Sequence, residues 1–215
     1  MTTAPEAFVR LREGNRRFAS NISNSDPFAI HDKRLELANG QRPFAIVLGC
    51  SDSRVPAELV FDQGLGDLFV IRVAGNIVAP SQVGSVEFAA ESFGTRLVVV
   101  LGHSQCSAVL ATLEELQKPS AARSRSLGPI VDRIRPAVEG LLATDLRHDT
   151  ETLVEQAVRA NIRASVNHLR HGSQILEQLI AQDGLAVVGA EYSLQTGVVD
   201  FFDAESERLS AAVSV

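Results

Sequence analysis

The chain is poor in the features that mark a membrane protein, a nucleic-acid binder or a disulfide scaffold. No apolar run approaches the roughly 20 residues that a membrane-spanning helix needs. Basic residues form no block and the formal charge is −6, so nucleic acid is not expected as a partner. The opening stretch MTTAPEAFVRLREGNRRF is polar and charged from its start and lacks the apolar centre of a secretory signal. A cytoplasmic location without membrane association is the expectation that follows. Cysteine occurs only at positions 50 and 106, too few for a stapled fold. By count alone these are two inert, buried thiols. Their places along the chain suggest more.

What the chain does have is material for a core: 45% hydrophobic and 21% charged residues over 215 positions. Four short β-rich runs read as buried strands: Phe44–Leu48, Leu68–Val73, Leu97–Leu101 and Leu185–Val188. Helical patterns lie between them, over Val83–Phe93 and Ala108–Leu116. Leu153, Ala157, Val158, Ile162, Val166 and Leu169 recur on one helical face. This alternation predicts an α/β fold, with a central, largely parallel sheet flanked by helices. Residues 1–40 read as an N-terminal helical arm and 41–215 as the α/β domain. Phe8, Val9, Leu11 and Phe18 give the arm an apolar side that covers either its own sheet or another subunit. Pro119–Gly128, PSAARSRSLG, reads as an exposed loop.

Ligands of an open parallel sheet bind beyond the carboxyl ends of its strands. Cys50 ends the first predicted strand, His103 ends the third, and Cys106 follows one turn later. Both cysteines and one of the five histidines thus fall at one sheet edge. Two thiolates and an imidazole suit zinc, and three protein ligands leave a fourth position open for chemistry. The alternative is a strand-end histidine bonded to backbone beside two inert thiols. Around Cys50 the chain reads CSDSR, and alternate residues can share a side, so Asp52 and Arg54 can face the same point. Asp52 can bind the metal itself or accept a hydrogen bond beside it, with Arg54 holding the carboxylate. A solvated surface pair is the alternative.

The stretches CSDSRVPAELVFDQGLGDLFVIRVAGN, VGSVEFAAESFGTRLVVVLGHSQC and YSLQTGVVDFF closely resemble the β-class carbonic anhydrases, from about Leu11 to Phe202. The resemblance implies hydration of carbon dioxide to bicarbonate by zinc-bound hydroxide, with one zinc per chain. It implies zinc on Cys50, His103 and Cys106, Asp52 as a conditional fourth ligand, and a catalytic Asp52–Arg54 dyad. Its substrate-binding positions map to Gln41, Phe69, Ala74, Phe88, Gly102 and Ser107. It also implies a homodimer, often doubled to a homotetramer, with the site at the dimer interface. Three positions depart from the family: Ser107 replaces a glycine, and Phe88 and Ser92 stand where plant-type members carry tyrosine and histidine. Val47 stands where one bacterial subtype places the tryptophan of a regulatory bicarbonate pocket. Two thiolates weaken the metal's pull on water, so activity is expected to rise from neutral to alkaline pH. The competing readings are a carbonyl sulfide or carbon disulfide hydrolase on the same scaffold, and a non-catalytic zinc or redox-sensing protein.

Overall fold

Along β1 (Ala45–Gly49) the side chains alternate between two helical layers. Ile46 and Leu48 join one apolar cluster, and Ala45 and Val47 join the other. The computed structural model describes residues 2–22, 29–118 and 126–212. Two helices precede β1: α1 (Ala4–Ala19) and α2 (Ala29–Leu37). After β1 come α3 (Ala57–Val60), β2 (Leu68–Arg72), α4 (Pro80–Ser92), β3 (Leu97–His103) and α5 (Ser107–Gln117). Then follow α6 (Gly128–Val138), α7 (Thr150–His171), α8 (Gln174–Gln182), β4 (Ala186–Tyr192), β5 (Val199–Phe201) and α9 (Ala204–Ala212).

The strand order is β2-β1-β3-β4-β5, with the first four strands parallel and β5 antiparallel to β4. The four predicted strands are present within a few residues of their expected limits. β5 was not anticipated, because three residues are too short a run to show a period. Strands β1, β3 and β4 are buried along their whole length, as parallel strands covered on both faces must be.

Helices α4 to α7 cover one face of the sheet, while α1, α3 and α9 cover the other. The expected face of α7 is buried, from Leu153 to Leu169, and Asp149 caps its first turn by accepting from Thr152 N at 3.2 Å. Thr3 and Glu6 form a capping box on α1. The apolar side of α1 lies on its own sheet: Phe8 and Leu11 are buried in the cluster that holds Phe44, Val47 and Leu101. Asn15 anchors this helix, donating to the carbonyls of Val60 and Gly197 and accepting from Val199 N. Within the chain, α1 thus takes the placement on its own sheet. Residues 23–28 of the arm and 119–125 of the expected loop lie outside the described residues. Among the described residues no helix is long and apolar enough to cross a membrane.

Candidate active site

The sheet presents three side chains of the types that can ligate a metal at the carboxyl ends of adjacent strands. Cys50 follows β1, His103 is the last residue of β3, and Cys106 precedes α5. Gln105 takes a left-handed φ of 54°, which folds the chain back between His103 and Cys106. All three residues are buried, and their ligating atoms lie within 4.8 Å of one another. The two sulfurs are 4.0 Å apart. Two zinc–sulfur bonds of about 2.3 Å at a tetrahedral angle require about 3.8 Å, so the spacing fits that metal.

The histidine gives the sharper indication. Its Nδ1 lies 3.0 Å from the Ser104 carbonyl, an acceptor only, so Nδ1 carries the proton and Nε2 keeps its lone pair. That Nε2 is buried and has no hydrogen-bond partner among the described residues. A fully buried, orphaned acceptor facing two thiols is costly unless something else takes its lone pair. The donor set fits a soft divalent cation.

The thiols are unequal without a metal. Cys50 ionises far below the usual thiol range, chiefly because its thiolate accepts from Cys106; the amide of Gly75, 3.3 Å away, adds to this. Cys106 is pushed well above that range, because it is the donor to Cys50 and because it is buried. Gly75 reaches its position at φ +70°, and a Cβ there would meet Ile134 at 2.9 Å and Ala108 at 3.1 Å.

Asp52 and Arg54 stand on the loop that leaves Cys50. Arg54 Nε donates to Asp52 Oδ1 at 2.9 Å and Nη2 to Oδ2 at 2.7 Å, while the Arg54 amide also donates to Oδ1 at 3.0 Å. This fork holds the Asp52 carboxyl well below the ordinary carboxylate range. Asp52 Oδ2 lies 3.9 Å from His103 Nε2, so the pair faces the ligand cluster and is more than surface decoration.

The expected substrate-binding positions divide. Ala74 and Ser107 adjoin the cluster, through Gly75 and Cys106 respectively. Gly102 is buried beneath α7, where a Cβ would lie 2.5 Å from Ile162, so close packing calls for glycine there. Phe69 pairs in register with Ile46, four residues before Cys50, and forms an aromatic group with Phe88 and Phe93. Phe88 is 53% exposed. Gln41 is exposed before β1, at the opposite end of that strand from Cys50. Within one chain it does not meet the metal ligands.

Residues 45–199 match the family model for carbonic anhydrase. The chain belongs to the β-class carbonic anhydrases. It is 37% identical over 196 residues to carbonic anhydrase 2 of Mycobacterium tuberculosis, covering 91% of each chain. A β-carbonic anhydrase of Aspergillus fumigatus matches with a TM-score of 0.72 at 28% identity, covering 86% of this chain and 88% of that one. One of two tetrameric β-carbonic anhydrases of Sordaria macrospora matches with the same TM-score at 25% identity, covering 82% and 90%. In this carbonic anhydrase the reading of the sequence missed the groups that hold the ligand loop. Arg72, the last residue of β2, donates from Nε to Cys50 O at 3.1 Å and from Nη2 to Asp52 O at 2.7 Å. On the far side, Asn161 and Ser165 of α7 donate to the carbonyls of Gly75 and Asn76. A charged residue ending an apolar run at the ligand edge was the available signal for Arg72. The two α7 residues gave none, since a polar group on a buried helical face has many uses.

Proposed function

We propose that this carbonic anhydrase interconverts carbon dioxide and bicarbonate with one zinc ion held by Cys50, His103 and Cys106. The observation that carries the reading is the orphaned Nε2 of the buried His103, facing two thiols at metal-ligand spacing. Bound there, zinc supplies a Lewis acid that makes a nucleophile from water. Cys50 and Cys106 both hold it as thiolates, and their charge moves the working range toward alkaline pH. Asp52 accepts a hydrogen bond from the attacking group and aims it; it is also the candidate for a fourth ligand when released from Arg54. Arg54 occupies both carboxylate oxygens, which keeps Asp52 ionised, turned and off the metal. Carbon dioxide is apolar and needs no acid from the protein, so a positioned nucleophile in a dry corner suffices. Ala74 and Ser107 border that corner. The proton released in each turnover passes to buffer.

A homodimer or homotetramer completes the reading. Gln41 lies too far from its own ligands to serve them, and Phe88 exposes half its ring beside the edge strand β2. Solved relatives include tetramers. A cytoplasmic setting suits two cysteines that must stay reduced to bind metal. Zinc analysis paired with stopped-flow carbon dioxide hydration is the decisive experiment. About one zinc per chain with hydration that disappears on chelation is expected. A chain that hydrates carbon dioxide equally well without metal would refute the proposal. Light scattering tests the assembly, and an active monomer would overturn that part alone.

A further inference from the structure

We propose that Arg72 is a positioning residue that acts through Asp52, by holding the backbone of the loop that carries the dyad. This rests on the reading of Asp52 and Arg54 as the dyad. Arg72 ends β2 and is paired in register with Gly49, the last residue of β1. Its guanidinium therefore lies beside the point where the loop begins. The fork spans two carbonyls, those of Cys50 and Asp52, which flank the exposed Ser51. The other bonds of Asp52 are local: its carbonyl accepts from Val55 N at 3.1 Å, and its carboxylate takes Arg54. The turn is anchored in the core at its far end, by the buried Val55. At Asp52 itself the main chain is tied to the sheet by Arg72, from a neighbouring strand.

The two arginines divide the work on one residue: Arg54 turns the Asp52 side chain and Arg72 places its main chain. Arg72 is exposed, so water can replace both of its bonds when it is removed, and the fold loses little. The position of Asp52 does not recover in the same way, because water holds nothing in place. Misplacement of a catalytic group by about 1 Å can lower a rate roughly 100-fold. Lysine keeps the charge of Arg72 but cannot bridge two acceptors with a planar fork.

The test uses the zinc-loaded, full-length enzyme and the variants Arg72→Ala, Arg72→Lys and Asp52→Asn. For Arg72→Ala, kcat/KM for carbon dioxide is expected to fall roughly 10- to 100-fold, as for an outer partner of a metal site, with zinc content unchanged. Arg72→Lys should fall with it. Hydrogen exchange followed by mass spectrometry should quicken in the 50–56 segment while β1 and β3 stay protected. Normal kcat/KM in Arg72→Ala overturns the inference, as does full rescue by lysine, which would make charge the cause. Loss of zinc overturns it too, since Arg72 would then be serving Cys50. Asp52→Asn separates the two failures. If it keeps normal activity the dyad reading falls; if it loses activity while Arg72→Ala does not, only the role of Arg72 falls.

Discussion

The ligand cluster and the dyad meet in sequence at Cys50 and Asp52, two residues apart, and are held in opposite ways. Cys50, His103 and Cys106 are buried by the core, at the ends of two central strands and the start of a helix. Asp52 and Arg54 sit on an outer loop, with half of the Arg54 side chain exposed; hydrogen bonds turn their side chains, and the core takes hold of the chain again only at the buried Val55. Core packing tolerates little displacement, so the spacing of these three side chains is set by the fold itself. The loop is set by a few removable contacts. Damage to the first region should therefore cost metal and activity together, and damage to the second should cost activity alone.

The largest effect is expected from Cys106→Ala. Zinc should drop to a small fraction of one per chain, and hydration should fall by more than the ~10- to 100-fold typical of an outer partner. Plasma emission for metal and stopped-flow hydration measure both, and full zinc with normal hydration would sink the ligand assignment. Next comes Arg54→Ala, which frees Asp52 to move onto the metal. Hydration should fall roughly 100-fold or more with zinc retained. Wild-type turnover from neutral to alkaline pH would end the account of the dyad, and loss of zinc would erase the contrast between the regions.

A subtler test uses protons. Cys106 is raised well above the thiol range when metal-free, so near neutral pH it keeps its proton until metal displaces it. Binding then releases at least one proton, and zinc affinity should weaken about tenfold for each unit that pH falls. Chelator competition across the neutral range checks this; affinity indifferent to pH would mean that both thiols are already ionised. The smallest effect concerns neither region. Asn15→Ala leaves the Val199 amide and two carbonyls short of a partner beneath α1. Stability should fall by ~2 kcal/mol, read as a lower thermal midpoint, with activity per folded chain unchanged. An unaltered midpoint would show that α1 is not held through this residue.

Much of this was readable before the fold. Four apolar runs marked the parallel strands; for β1, β3 and β4 the reason is that a strand buried on both faces needs an unbroken apolar stretch. Cys50 and His103 at strand ends marked the functional edge, because parallel strands align their carboxyl termini. Chemistry alone made the Cys–His–Cys set a zinc candidate. Gly102, read as a substrate position, also packs beneath α7, where Ile162 leaves no room for a Cβ.

The order of residues carries the local periods and the kinds of side chain on offer. Those settle the α/β class, the strands long enough to show a period, and the ligand types. Packing in three dimensions lays α1 on its own sheet, runs β5 antiparallel as a three-residue edge, and leaves Gln41 at the far end of β1. It alone brought Arg72 to the carbonyls of Cys50 and Asp52, and Asn161 to Gly75. Each of these joins residues from separate segments, some nearly two hundred positions apart, as Asn15 and Val199 are. A repeating pattern reports on neighbours along the chain, and contacts between distant segments leave no period. They arise when packing brings the segments together.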